Sequence, residues 1–351
     1  LHHIVADGWS MGILTRELRA LYEADTSGAE PSLPELPIRF ADFCVWQREQ
    51  AKSGAWDAHL EYWRDRLAGA PADLMLATDR PRPEGFAYRG AHLPITISRS
   101  ATDAVRALAR DAGVTLYTVL LASFEVLLHR AAKQDDFTLG TTFANRDRKE
   151  LEELIGFFAN TLPLRADLSG DPTFRALLRR VREAILGGVV HQELPFALVV
   201  KKLQPDRDLG LHPLYRVVFD LLTPDRNPAV YGYGLSSPVQ ETVRIGDLSL
   251  VPVPLECGIA RFDIAVFIWD MPDGLAGSFE FSTDLFDTGT IQVMIDAYAE
   301  LLRTIVNEPD ARLSALVEQL DRWESRWQAD AEKSYRRSKG ERLKGIKRRR
   351  S

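Results

Sequence analysis

The run from Leu116 to Ala132 limits what this chain can fold into more than any other stretch. It is almost wholly apolar and is interrupted only by Glu125, His129 and Arg130. Those three residues break it as a membrane span. Thr115 stands where a helix cap belongs, so the run predicts a mostly buried helix. Alternating, strand-like residues precede it at Ala91 to Ser98 and follow it at Asp136 to Thr142, and a second helix is expected from about Ser100 to Ala112. Helices alternating with strands call for an α/β chain.

The flanking segments fit that class. Leu14, Leu18 and Leu21 recur at helical spacing and predict a helix from about Met11 to Ala24. Residues 26–37 are rich in Pro, Gly and Ser and read as a loop. Arg39 to Glu49 starts an amphipathic helix, and Trp56 to Leu67 forms another. Asp79-Arg80-Pro81-Arg82-Pro83 reads as a semi-rigid linker, and a lobe boundary is expected near residues 79–90. Ile155 to Arg165 looks like a buried strand entered through Gly156. Phe174, Leu177, Leu178, Val181 and Ile185 mark one face of a helix. Val217 to Phe219 is strand-like, and residues 223–260 read as loops. A strand ending near Trp269 turns at Pro272-Asp273-Gly274 and returns through Ser278 to Ser282. Ile291, Met294, Ile295, Tyr298, Leu301, Leu302 and Ile305 stripe a last core helix.

At 351 residues the chain has room for a large core and for two lobes. A net charge of −6 makes no case for nucleic-acid binding. Cys44 and Cys257 have no metal-ligand spacing and fit a reducing cytoplasm. No apolar run is long enough to span a bilayer, so no membrane partner is expected. A basic tail begins at Lys333 and reads as a solvated segment.

Chemistry is concentrated at Leu1-His2-His3-Ile4-Val5-Ala6-Asp7-Gly8-Trp9-Ser10. Imidazole is the side chain most readily used as a proton acceptor near neutral pH. On a strand, neighbours point to opposite faces, so one of His2 and His3 would face a cavity while the other packs. Asp7 would bond local backbone or pair with a distant arginine. Gly8 permits positive φ or a close backbone approach to a substrate. The plainer reading is a buried histidine beside a glycine turn.

His-His-x-x-x-Asp-Gly followed by Trp9-Ser10 resembles the active-site motif of condensation domains of nonribosomal peptide synthetases. Their wider superfamily includes chloramphenicol acetyltransferase. Further segments carry the same resemblance: Phe40-Ala41-Asp42-Phe43-Cys44-Val45-Trp46-Gln47-Arg48, Ile155-Gly156-Phe157-Phe158-Ala159-Asn160-Thr161 and His191-Gln192-Glu193-Leu194-Pro195-Phe196. Arg207 to Phe219 matches imperfectly, with His212 for the usual Asn and Tyr215-Arg216 for Phe-Gln. The likeness covers roughly residues 1–310.

The resemblance implies an α/β fold of the α+β two-layer sandwich kind, with chloramphenicol acetyltransferase-like lobes in a V-shaped pseudo-dimer and the first lobe incomplete. Residues 1–85 would be the end of that lobe, 86–310 the second lobe, and 311–351 a helical and basic tail. It implies that His3 is catalytic and that His2 packs or orients. Asp7 would brace the loop, with Arg146 as the partner. The Gly8 N–H would face a developing oxyanion, and Trp9, Ser10, Asn160, Thr161 and His191 would be tunnel or motif residues. No cofactor would bind directly. Substrates would arrive on 4'-phosphopantetheine of upstream and downstream carrier domains, and the reaction would join them through an amide, between two L-residues by the form of the motif. An epimerization domain of the same fold and a catalytically silent, partner-recruiting module are the alternatives.

Overall fold

A computed structural model describes residues 1–71, 73–83, 85, 88–203, 214–222, 243–245, 247–251, 253 and 258–329. Three helices lead the chain: α1 (Gly8–Ser27), α2 (Phe40–Ser53) and α3 (Asp57–Leu67). Then come β1 (Gly90–Ser98), α4 (Arg99–Asp111), α5 (Leu116–Ala132), β2 (Asp136–Phe143), the short α6 (Lys149–Glu152) and β3 (Asn160–Asp167). They are followed by α7 (Phe174–Val190), α8 (Phe196–Leu203), β4 (Val217–Leu222) and the small hairpin of β5 (Val243–Ile245) and β6 (Leu248–Leu250). The last elements are β7 (Ile264–Met271), β8 (Gly274–Ser282) and α9 (Thr288–Asn307), with a further helix over 313–329.

The main sheet has six strands in the order β1-β8-β7-β4-β2-β3. β2 runs parallel to β4 and β4 parallel to β7, while the other neighbours are antiparallel. Side chains alternate across the sheet as strand geometry requires. Val217, Phe219, Ile264, Val266, Ile268, Phe279 and Phe281 point into the large core under α4, α5, α7 and α9. Val218, Ala265 and Phe267 point the other way, where Tyr215 and Phe196 pack. On that side Trp56, Trp63, Leu67, Leu162, Leu194 and Val199 join α3 and α8 to the sheet.

The expected buried helix is α5. Thr115 caps it by accepting the Thr118 N–H at 3.1 Å, and every residue from Thr118 to Leu128 is buried. Burying each Leu or Phe there contributes about 1.5–3 kcal/mol. Among the described residues no single helix is long and apolar enough to cross a membrane. The 311–351 segment divides: Leu313, Leu316 and Leu320 lie in the main core, whereas the basic run from Lys333 lies outside the described residues. His212, Cys257 and most of 223–257 also lie outside them.

Two local expectations change. The first histidines are not on a strand. Residues 3–5 form a turn, closed by the Val5 N–H on His2 O at 3.1 Å. The Ile155 to Arg165 run becomes strand only at Asn160, because the backbone of 156–159 is bonded to Asp7 and Ser10 rather than to a neighbouring strand.

Candidate active site

Asp7 organises the site. It is the N-cap of α1, and its carboxylate accepts the Ser10 N–H at 2.8 Å. That cap starts the helix at Gly8, earlier than Met11 where the leucine spacing places it. Gly8 therefore takes helical rather than positive-φ backbone, so of the two uses expected of a glycine there the left-handed one is not met. Its Cα faces open space, and its N–H has no acceptor among the described residues.

The same carboxylate ties the first helices to the sheet. It accepts from Arg146 Nη2 at 3.1 and 3.3 Å, from the Phe158 N–H at 3.0 Å and from the Ala159 N–H at 3.3 Å. Arg146 is bound on its other side by Leu151 O at 2.5 Å and Leu154 O at 2.7 Å. Its guanidinium lies over the Phe158 ring at 4.1 Å and the Trp9 ring at 5.7 Å. Ser10 Oγ is the hub of the knot. Its proton is shared between Asp7 Oδ1 at 2.7 Å and Gly156 O at 2.8 Å. It accepts from the Gly156 N–H at 3.0 Å and Arg146 Nη2 at 2.9 Å. Any side chain at 156 would enter the Phe40 ring, which lies 2.3 Å from the position of a Cβ, so the close approach requires glycine.

Burial pushes the Asp7 carboxyl up, but the Ser10 N–H and hydroxyl, Arg146 and the Phe158 N–H outweigh it and hold it below the usual carboxylate range. Burial pulls Arg146 down against the Asp7 carboxylate, yet a guanidinium stays charged at neutral pH. The pair is ionised.

His3 sits on the turn that this knot fixes. Its Nδ1 lies 2.7 Å from Ala6 O. A carbonyl only accepts, so Nδ1 carries a proton, and a neutral ring in this pose has its lone pair on Nε2. Ala6 is buried, and the Asp7 N–H is anchored on Gly156 O at 3.2 Å. The ring of Phe157 meets the imidazole edge-on with centroids 4.8 Å apart. His2 is exposed, and its Nδ1 accepts the Ile4 N–H at 3.1 Å. His3 is exposed as well, so the expectation that one histidine of the pair packs into the fold is not met, because a turn does not send neighbours to opposite faces as a strand does; of the two roles expected of His2, packing or orienting, the first falls. Trp9 donates its indole N–H to Glu152 O at 2.8 Å while its ring stays half exposed.

Asn160 and His191 belong to a second assembly rather than to the Asp7 knot. The Asn160 amide donates to Gln192 O at 2.9 Å and Leu194 O at 2.8 Å, and its Oδ1 accepts the Phe196 N–H at 3.0 Å. His191 stacks on Tyr62 at 3.9 Å and meets His59 with Nδ1 atoms 2.9 Å apart, and its carbonyl accepts the Trp63 indole N–H at 3.2 Å. Burial, with His59 beside it, holds the His191 ring below the usual histidine range. Thr161 lies opposite Thr142 on the neighbouring strand, their hydroxyls 3.0 Å apart. Thr142 also donates its N–H and hydroxyl to Asp220 at 2.7 and 2.8 Å.

Several of these partners were not singled out in the sequence. Asp220 has a signal, an acid in the apolar run Val217 to Leu222; it is buried, and burial raises its pKa against bonds from Thr142 and Thr141. Phe157, His59 and Tyr62 have none, because nothing local marks which ring of a helix or loop meets a distant histidine. Among the described residues no group of three or more His, Cys, Asp or Glu is placed to hold a metal ion.

Similarity to known proteins agrees with this geometry. The family model described as Condensation domain matches residues 1–322. The chain is 42% identical over 316 residues to a linear gramicidin synthase of Brevibacillus parabrevis, covering 90% of this chain and 4% of that protein. It is 38% identical over 315 residues to the phosphinothricin tripeptide synthetase PhsB of Streptomyces viridochromogenes, covering 90% of this chain and 25% of that one. The chain thus spans a small part of these relatives. Among solved structures, the X-domain from teicoplanin biosynthesis superposes with a TM-score of 0.78 at 26% identity, covering 90% of this chain and 70% of that chain. A four-domain nonribosomal peptide synthetase bound to AMP and glycine superposes with a TM-score of 0.78 at 26% identity, covering 89% and 24%. The condensation domain of the MokA polyketide synthase, at 20% identity and a TM-score of 0.70, shares the fold. With the match over most of its length and the sheet and helix arrangement above, this chain belongs to the condensation-domain family and has its chloramphenicol acetyltransferase-like α/β fold.

Proposed function

We propose that this chain is part of a nonribosomal peptide synthetase and forms an amide between two carrier-bound substrates, with His3 as the residue that handles the proton. The observation that carries the reading is the 2.7 Å contact between His3 Nδ1 and Ala6 O, in which the carbonyl accepts the Nδ1–H and Nε2 has no hydrogen-bond partner among the described residues. A neutral imidazole held this way is ready to accept a proton.

In this reading the donor is an acyl or peptidyl thioester and the acceptor an aminoacyl thioester, each on a 4'-phosphopantetheine arm of a carrier domain. The acceptor amine attacks the thioester carbonyl carbon. His3 Nε2 holds the amine and takes its proton as the C–N bond forms. The C–S bond then breaks, and the departing thiolate receives the proton. A positioned base contributes about 10²–10⁴-fold, and holding two tethered reactants together contributes much of the rest. The Gly8 N–H, first in α1 and without an acceptor among the described residues, is the group we assign to the developing oxyanion. Asp7, Arg146, Ser10 and Trp9 hold the turn. Asn160 fastens β3, and His191 fastens α3, to the turn before α8, and Thr161 joins the strand edge to Asp220 through Thr142. No cofactor binds to the protein itself. We place the division between lobes at residues 79–90 and the reaction in the cytoplasm, and we assign both substrates to the L series on the form of the His-His motif.

A second reading, a partner-recruiting module without catalysis, is favoured by one similarity. The X-domain that superposes with a TM-score of 0.77 at 27% identity was solved as a complex with OxyB. Two loaded carriers supplied to the polypeptide that holds these residues separate the readings. Dipeptidyl-thioester on the acceptor carrier supports condensation, and carrier binding with both thioesters left unreacted supports recruitment alone. Inverted configuration of a single loaded residue would point to the epimerization alternative.

A further inference from the structure

Phe157 is held in place with unusual rigour and yet is left outside the core. Gly156 on one side bonds Ser10 through its N–H at 3.0 Å and takes the Ser10 hydroxyl and the Asp7 N–H on its carbonyl at 2.8 and 3.2 Å. Phe158 on the other side gives its N–H to Asp7 at 3.0 Å and is 2% exposed, packed on Phe40 and Phe43. Between these anchors the Phe157 ring is 44% exposed, and among the described residues the ring it meets is that of His3. Exposing a phenyl ring gives up much of the free energy that its burial would contribute. The fold gains nothing visible from the ring where it stands.

We infer that Phe157 is a specificity-determining residue that forms an apolar wall beside His3 for the α-substituent of the acceptor amino acid; this rests on the condensation reading above. The distances suit that role. An amine nitrogen bonded to His3 Nε2 lies about 3 Å from it, and the acceptor Cα is about 1.5 Å farther. The side chain on that carbon then lies within a few bond lengths of the imidazole, and the Phe157 ring packs against that same imidazole with centroids 4.8 Å apart. An apolar substituent removes the ring from water, whereas a charged one loses its own hydration against it. The wall therefore favours acceptors with apolar side chains over glycine and over acidic ones.

The test uses the full polypeptide that holds residues 1–351, with its donor loaded and a set of acceptors: leucyl, glycyl and aspartyl thioesters. Phe157→Ala and Phe157→Leu are compared with the parent, each with its melting temperature measured. The ring is outside the core, so both variants are expected to melt within about 2 °C of the parent, consistent with surface substitutions. Phe157→Ala is expected to lower kcat/KM for the leucyl acceptor about 10–100-fold relative to the glycyl one, within the range for an apolar contact in a pocket. Phe157→Leu should recover most of that preference. An equal loss for all acceptors would assign the ring to orienting His3 and would overturn the inference, as would unchanged ratios. Binding is measured alongside, with leucyl- and glycyl-pantetheine amides titrated calorimetrically into the same proteins. Selective loss of leucyl binding in Phe157→Ala supports the wall even where no variant forms product, a result that would instead remove the condensation reading.

Discussion

Two buried carboxyls show how differently this molecule treats the same chemical group. Asp7 is 4% exposed and Glu125 is 2% exposed. Asp7 is bonded by Ser10, Arg146 and the backbone of Phe158 and Ala159, and its pKa lies below the ordinary range. Glu125 sits in the middle of α5 with Oε2 lacking any partner, and burial raises its pKa to about 8 against the opposing charge of Arg66. The first is charged at neutral pH, and the second is largely protonated. Burial alone therefore does not set a carboxyl's state; the donors brought to it do. At Asp7 those donors come from segments far apart in sequence, so its charge joins α1, Arg146 and the segment before β3 into one support for the His3 turn. At Glu125 no such assembly exists among the described residues, and the group reads as a cost carried within a well-packed helix.

The largest expected effect breaks the first member of this pair. Asp7→Ala leaves Arg146 buried without its carboxylate, and removing one side of a buried pair costs about 3–5 kcal/mol. Urea unfolding should show that loss, and product formation should fall with it; an unchanged midpoint would mean that the knot contributes nothing. The pair also has an acid limit. Because Asp7 is depressed in the folded state, its contribution is present above the unfolded carboxyl pKa near 3.9 and disappears as pH falls through the lower folded value.

Glu125→Leu should do the reverse. It removes an unpartnered buried polar atom, worth about 1–3 kcal/mol, so the variant should be more stable at pH 8. The sign of the pH dependence also distinguishes the two carboxyls. The folded pKa of Glu125 is raised, so its neutral form favours folding below about pH 4, and that contribution is lost as pH climbs toward about 8. Stability measured across this window should decline less in Glu125→Leu than in the parent. Parallel curves would show that Glu125 is not protonated in the fold.

The smallest effect refines the boundary of the knot. Trp9→Phe keeps a ring beside Arg146 but removes the bond to Glu152 O. That bond is solvent-exposed, and a loss of about 0.5–1 kcal/mol is expected by thermal melting. A loss as large as that of Asp7→Ala would place Trp9 inside the essential support.

Much of this arrangement is legible from residue order, and the reasons for success and failure are physical. The helix α5 announces itself because a helix apolar on all sides has one stable environment. The turn at Pro272-Asp273-Gly274 and its returning strand are local chemistry and fall where the pattern puts them. Leu1 to Val5 read as strand, but a strand needs a neighbour, and the histidines instead close a turn on their own backbone. Asp7 is marked by its place before a helix, whereas the ring of Phe157 against His3 depends on a loop about 150 residues away and leaves no trace in spacing.

We propose that His3, its Nδ1 held on Ala6 O, handles the proton of amide formation. It is tested most directly by single-turnover formation of the dipeptidyl-thioester in His3→Ala, with circular dichroism and melting temperature matched to the parent. The rate is expected to fall about 10²–10⁴-fold with the fold intact. A rate equal to the parent's would contradict it.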